Sequence, residues 1–437
     1  MKYINTVAFY TLGCKVNQYE TESIKQQFLD NNVKIVNFDE NADVYIVNTC
    51  TVTSIADRKT RNILRRAKKI NSSSILVATG CYAQTDGDEL KKFPEIDLIV
   101  GNSNKNHIFK IISEYIRTNE NDINYVENIY LEDIFKDLNL STYREMNRAY
   151  IKIQDGCNNY CSYCKIPFAR GKSRSRTSES ILNEAITLSK DNFKEIILIG
   201  INLGAYGLDL NSENINLEKI IDNISKIDGI TRIRLGSVYP DRLTDDFVEM
   251  LKNNKKLMPH LHISLQSGDD FILNQMGRAY KTKDIEERLT KIREEIPNIM
   301  FTGDVIVGFP GETDDYFKNT YNFINKISFS DLHIFKYSER KNTKAISFKM
   351  KVPSNIKNER ALLLEKLNHE MYLKERLKNI GKTDYILVEE LKNQNAVGYT
   401  ENYLKAIIKN CKKEINEIVK VKIIGYEKEM LICEESR

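Results

Sequence analysis

The chain has 437 residues, 41% hydrophobic and 29% charged, with a net charge of +4. That length suggests two to four domains at roughly 100–200 residues each, and the composition is that of a globular protein. The small net charge excludes a chain-wide polyanion binder, so any nucleic-acid surface must be built from local clusters. No run approaches the ~18 apolar residues of a membrane span. The N-terminal "MKYINTVAFYTLGCKVNQYETE" turns polar after one short apolar run, which reads as a first strand and not as a signal peptide. The expected location is cytoplasmic, where the eight cysteines are expected to be thiols or metal ligands, not disulfides.

Residues 1–117 alternate strand and helix patterns. Strands are predicted at "TVAFYTLG" (6–13), "DVYIVNT" (43–49), "SILVATG" (74–80) and "DLIVGN" (97–102), separated by helical stretches, as in a doubly wound parallel sheet. Residues 118–147 are polar and read as a connection with at most short elements. From Arg148 the alternation resumes, with strands predicted at 149–154, 195–201, 232–238, 260–266, 301–309 and 331–337. Six such units predict a partial or complete (β/α) barrel with its site at the strand C-termini. A helix at about 355–379 closes this 148–379 region, with Gly381 as its expected cap. Residues 380–437 switch to short strand patterns, "DYILVEEL", "AVGYT", "VKVKIIGY" and "MLICEE", predicting a small all-β domain. The fold class is therefore α/β with a small all-β C-terminal unit.

Two sets of three cysteines carry the chemistry. Cys14, Cys50 and Cys81 each end a predicted apolar strand. The C-termini of parallel strands share one sheet edge, where ligands bind. Three cysteines there can converge although far apart in sequence, whereas any one alone would more often be a small buried apolar residue. Cys157, Cys161 and Cys164 form a C-x3-C-x2-C run in "QDGCNNYCSYCKIPFARGKSRSR". Zinc is the alternative, but zinc sites usually have four ligands, and the next candidates downstream are His260 and Cys411. A [4Fe–4S] cube held by three thiolates, with one iron open for a small molecule, fits better.

That run, with Tyr163 before its last cysteine, resembles the signature of radical S-adenosylmethionine (SAM) enzymes. In these the open iron is chelated by SAM, which is cleaved to a 5′-deoxyadenosyl radical. "TLGCKVNQYETE", "VNTCTVTSIADRKTR", "ATGCYAQ", "ISLQSGDD" and "DVIVGFPGET" narrow the resemblance to the radical SAM methylthiotransferases, over essentially the whole chain. The resemblance implies a flavodoxin-like N-terminal domain, a radical SAM barrel and a small C-terminal TRAM-like barrel that binds RNA. It also implies two [4Fe–4S] clusters, the second on Cys14, Cys50 and Cys81 and serving sulfur addition, and a reductant protein such as flavodoxin or ferredoxin. The family has branches acting on isopentenyl-adenosine in tRNA, on a ribosomal-protein aspartate and on threonylcarbamoyl-adenosine in tRNA. "TLGCKVNQYETE" and "RGKSRSR" resemble the last most. The implied reaction puts a methylthio group on C2 of the adenine beside the tRNA anticodon.

Gly200, Asn202, Ser237 and Gln266, at ends of predicted barrel strands, are with Tyr163 the expected SAM contacts. Arg170, Lys172, Arg174 and Arg176, beside the C-x3-C-x2-C run and without an intervening acid, are the expected RNA contacts. "RKTRNILRRAKK" (58–69) has seven basic residues and reads equally well as an RNA contact or a solvated helix face. Residues 380–437 balance acids and bases; Lys405, Lys409, Lys412, Lys413, Lys420 and Lys422 give weak support for RNA binding. Cys411 and Cys433 are expected to be structural thiols, and His260 and His262, on one strand face, core histidines.

Overall fold

The computed structural model describes residues 4–118, 124–138, 148–211 and 214–436. The N-terminal unit runs β1 (Thr6–Thr11), α1 (Lys15–Leu29), β2 (Lys34–Val36), β3 (Val44–Thr49), α2 (Ser54–Ile70), β4 (Ile75–Gly80), α3 (Cys81–Leu90), β5 (Leu98–Val100), α4 (Ile108–Thr118) and β6 (Asn124–Tyr125). Its sheet is parallel throughout, in the order β2-β1-β3-β4-β5-β6. This is the flavodoxin-like 2-1-3-4-5 order with one added edge strand. Every residue of β3 and β4 is buried, because helices cover both faces of a parallel sheet. The order reverses between β1 and β3, where such sheets form their ligand crevice.

The middle unit holds β7 (Ala149–Lys152), β8 (Gln154–Asp155), α5 (Ile166–Arg170), β9 (Arg174–Ser175), α6 (Ser178–Lys190), β10 (Glu195–Ile199), α7 (Leu217–Ser225), β11 (Arg232–Leu235), β12 (Ser237–Val238), α8 (Asp245–Asn253), β13 (His260–Gln266), α9 (Asp270–Gln275), α10 (Thr282–Glu295), β14 (Met300–Val307), α11 (Asp314–Ile327), β15 (Asp331–Lys336) and α12 (Ser354–Leu377). Two parallel sheets, β11-β10-β7 and β12-β13-β14-β15, meet at Gly236 and make one six-stranded wall, a partial barrel. One face of that wall presents Ile151, Ile196, Leu198, Ile233, Leu261, Ile263, Phe301 and Val305 to the helices, all essentially fully buried. The alternate residues, among them Lys152, Glu195, Arg234, His262 and Asp304, line the concave lumen, since side chains alternate with period two.

The C-terminal unit is a closed barrel, β16-β17-β18-β20-β19, built from β16 (Thr383–Lys392), β17 (Asn395–Tyr399), β18 (Lys405–Ile408), β19 (Ile418–Glu427) and β20 (Met430–Glu435). Cys411 and Cys433 are buried in its core, which also takes in Met300 from the foot of β14. Arg232 and Arg234 donate to the carbonyls of Tyr385, Tyr399, Thr400 and Glu401 at 2.7–3.2 Å, so the small barrel seats on the foot of the partial one. Gly381 is not the cap of α12, which ends at Leu377 with Lys378 as C-cap. Gly381, at φ +87°, instead starts the small barrel, its N–H donating to Ile423 O at 2.8 Å.

Candidate active site

The first thiol triad assembles at the carboxyl edge of the N-terminal sheet. Cys14 caps α1, Cys50 follows β3 directly and Cys81 opens α3. The pairing of Thr49 with Gly80 makes Cys50 and Cys81 leave the sheet side by side. Asn17 Nδ2 ties the loops after β1 and β3 together through Leu12 O (2.7 Å) and Thr49 O (3.1 Å). Gly13 has φ +101°, and a Cβ there would stand 3.1 Å from Cys50 Sγ, so a side chain would crowd the sulfur. Burial, then the neighbouring Cys81 and Cys14, push the Cys50 thiol up to about 12. Thiols that disfavour each other's ionisation call for a cationic centre between them.

The second triad lies in a loop closed at its base by the β8–β9 ladder, Asp155 opposite Arg174. Gly156 sits at φ +71°, and a Cβ there would lie 1.8 Å from Lys172 O, so only glycine fits. Cys157 N donates to Gly171 O, Cys164 N to Cys161 O, and Ser162 N to Met276 O beyond α9. Burial and the thiols of Cys161 and Cys157 push Cys164 up to about 12, partly opposed by a backbone hydrogen bond and Arg278. The triads adjoin through α3, which begins at Cys81, packing on α5, which follows Cys164.

A single zinc ion with bonds of ~2.3 Å would draw its sulfurs within about 4 Å of one another. Among the described residues, the group whose donor atoms all lie within 4.8 Å is His262, Asp304 and His333; neither thiol triad is that tight. Three thiolates leave one iron of a [4Fe–4S] cube open, whereas a closed zinc site wants four ligands. The two histidines hydrogen-bond the same Asp304 oxygen, each at 3.1 Å, so the close approach of that trio has its own cause.

The expected SAM contacts fall in one region. Gln154 Oε1 accepts from Ile201 N (3.0 Å) and Asn202 N (2.8 Å), and lies 3.1 Å from the Cβ position of Gly200. Asn202 Oδ1 is buried without a partner. Gln266 ends β13 at φ +69°, and Ser237 is exposed on β12. Tyr163 packs edge-on to Phe309 of the "GFPGET" loop, and its hydroxyl accepts from Arg278 Nη2 at 2.6 Å. Arg278 itself is the residue sequence reasoning missed. It is buried among Tyr163, Tyr239 and Tyr280, its field reaches the second triad, and its Nε and Nη1 have no acceptor. A buried guanidinium with two free donors suits a carboxylate, which the methionyl end of SAM provides.

The expected RNA contacts need correction. Arg170 is fully buried and donates to Glu20 Oε1 (2.7 Å), Asp155 Oδ1 (3.0 Å) and Asn17 Oδ1 (2.8 Å). Arg174 donates to backbone carbonyls, including that of Arg170. Arg176 pairs with Asp137 and Glu184. Lys172 is exposed, and pairs with Asp133 at 2.8 Å. The three arginines bind the N-terminal unit and the connection to the barrel, because a run of charge does not reveal which way its side chains turn. Glu20 shows the strength of that joint: burial alone would raise its carboxyl, but Arg170, Lys105 and Lys152 together hold it well below the usual range.

The family described as "Uncharacterized protein family UPF0004" matches residues 6–101, and the radical SAM superfamily matches residues 151–324. The chain is 40% identical over 431 residues to a threonylcarbamoyladenosine tRNA methylthiotransferase, MtaB, of Bacillus subtilis (strain 168), covering 96% of this chain and 94% of the relative. This chain belongs to the radical SAM methylthiotransferase family. The MtaB of Aquifex aeolicus (strain VF5) is 40% identical over 417 residues, covering 95% of this chain and all of that one. Among solved structures, the radical SAM methyltransferase TsrM of Kitasatospora setae matches with a TM-score of 0.57 at 14% identity, over 76% of this chain and 75% of TsrM; that likeness concerns the fold. As a member of this family the chain is a transferase that works with [4Fe–4S] clusters and SAM. A cluster and SAM bound there would supply carbon-radical chemistry; the thiols would be the residues to hold the cluster, and Arg278 and the Gln154–Asn202 corner those to orient SAM.

Proposed function

We propose that the chain puts a methylthio group on C2 of N6-threonylcarbamoyladenosine beside the anticodon of tRNA. In this reading Cys157, Cys161 and Cys164 hold the cluster that binds SAM. Cys14, Cys50 and Cys81 hold a second cluster that serves sulfur delivery. The observation that carries it is the presence of two separate thiol triads, each with three sulfurs, adjoining through the packing of α3 on α5. A one-electron reductant such as flavodoxin or ferredoxin is required, and the cytoplasm is the compartment where tRNA and reductant meet.

The exposed face of α2 supports a tRNA substrate. Arg58, Lys59, Arg65 and Lys69 are exposed along a helix that begins four residues after Cys50, a basic face leading away from the first triad along which phosphates can be held. Two measurements test the proposal. Anaerobic reconstitution is expected to give about eight iron per chain, two four-iron cubes, and about four after Cys14, Cys50 and Cys81 are replaced by alanine. Four in both proteins overturns the two-cluster reading. Mass spectrometry of tRNA nucleosides from cells lacking the protein is expected to show loss of 2-methylthio-threonylcarbamoyl-adenosine, and its persistence, where no second enzyme of this branch is present, overturns the substrate.

A further inference from the structure

Lys15 follows Cys14 directly, and its half-buried side chain reaches the Tyr403 ring, which also faces the lumen residue Arg234. Its Nζ lies 5.9 Å from the centroid of the Tyr403 ring, and that ring packs on His260 of β13 with centroids 4.7 Å apart. Charged and titratable groups surround it from every long strand of the wall: Arg148 before β7, Glu195 of β10, Arg234 of β11, His260, Asp304 of β14 and His333 of β15.

The other groups there are already engaged. Arg148 pairs with Glu389 at 2.5 Å and with the Tyr403 hydroxyl. Arg234 takes Glu195 at 2.9 Å and two carbonyls at 2.8 Å. Asp304 is held by His262 and His333. Among the described residues no carboxylate, carbonyl or hydroxyl accepts a hydrogen bond from Lys15, whose ammonium faces the Tyr403 ring. An ammonium in a partly desolvated lumen, beside two arginines and without an acceptor, is costly unless an anion completes it.

This inference rests on the threonylcarbamoyl-adenosine reading. That substituent ends in a carboxylate, whereas a hydrocarbon substituent on N6 has no charge. N6 is attached to C6 of the same six-membered ring that holds C2, and adjacent Cα atoms lie about 3.8 Å apart. A cation one residue from Cys14 therefore stays within a side chain's reach of a base whose C2 faces the first triad. We propose that Lys15 is a specificity residue, binding the terminal carboxylate of the N6 substituent inside the barrel lumen.

The test uses anticodon stem-loop RNAs bearing either threonylcarbamoyl-adenosine or its carboxamide analogue, in which the carboxylate is a neutral amide. Full-length wild type, Lys15→Gln and Lys15→Arg are reconstituted to equal iron content, which controls for loss of the neighbouring cluster. Kd is measured without reductant, and KM and kcat with it. Lys15→Gln is expected to raise Kd and KM for the acid RNA about ten- to a hundredfold, the range of a charge-assisted hydrogen bond. Both should stay unchanged for the carboxamide, and Lys15→Arg should recover most of the preference. Equal losses on both RNAs, or none on the acid, overturn the Lys15 assignment alone. A wild type that binds and modifies neither RNA overturns the substrate reading and the assignment with it.

Discussion

Arg278 gives one terminal nitrogen to the Tyr163 hydroxyl and leaves its other two nitrogens buried without acceptors. Such donors cost about 1–3 kcal/mol each while unpaired, so a bound carboxylate is the natural relief. Arg278→Gln is expected to keep full iron loading yet weaken SAM binding about tenfold or more, measured by calorimetry on the reconstituted enzyme. A second residue-scale expectation concerns His333. The hydrogen bond it donates to the Asp304 carboxylate raises it above the ordinary histidine value, against the opposing effect of burial. A raised folded value means the pair's stabilisation is full below about 6.5 and is lost as pH rises through the folded value. The His333 titration followed by NMR should fall to lower pH in Asp304→Asn, and an unmoved midpoint would contradict the pairing. The cysteines were legible in the sequence because their spacing and strand-end positions are sequence properties. Arg278, one cation inside "MGRAY", carried no pattern, since its meaning comes from three tyrosines distant in the chain. Lys15 stood in plain view, but that it lacks an acceptor is visible only in three dimensions.

At the scale of elements, the Cys157–Cys164 loop depends on its glycine. A Cβ at Gly156 meets the Lys172 carbonyl, two residues before β9, and the positive φ adds strain, so Gly156→Ala is expected to lower reconstituted iron from about eight to about four per chain. Retention of all the iron would show that the ladder can shift. The joint around Glu20 is the second element-scale device. Removing that carboxylate leaves Arg170, Lys105 and Lys152 as buried cations with too little compensation. Glu20→Ala is therefore expected to cost about 3–5 kcal/mol, read as an earlier denaturant midpoint and faster proteolysis between the first two units. Strands such as β3 and β4 were readable as apolar runs, and β13 as a strict polar–apolar alternation. β2 (Lys34–Val36), β6 (Asn124–Tyr125) and β18 (Lys405–Ile408) were not, because two to four residues are too few to set up a period and are held by their neighbours' ladders. The 170–176 arginines failed for a related reason: local sequence reports charge, and only packing reports burial.

For the whole molecule, the basic surface shifts from the loop beside the second triad to α2 beside the first. Glutamate at Arg58, Lys59, Arg65 and Lys69 is expected to weaken tRNA binding and flatten its dependence on salt, by about one unit of slope per lost phosphate contact, with little change in melting temperature. Substitution of Arg174 should do the reverse.

The seat of the C-terminal barrel has one more consequence. Arg232 and Arg234 have their donors in its carbonyls, Tyr403 rests on His260, and Met300 is part of its core. The small barrel is thus a stopper in the foot of a vessel with the cysteine triads at its other end. Pulled out, it would leave Arg232 and Arg234 without four carbonyl acceptors and open the foot of the wall to water, so a truncated enzyme is expected to lose stability in the partial barrel as well as the small one.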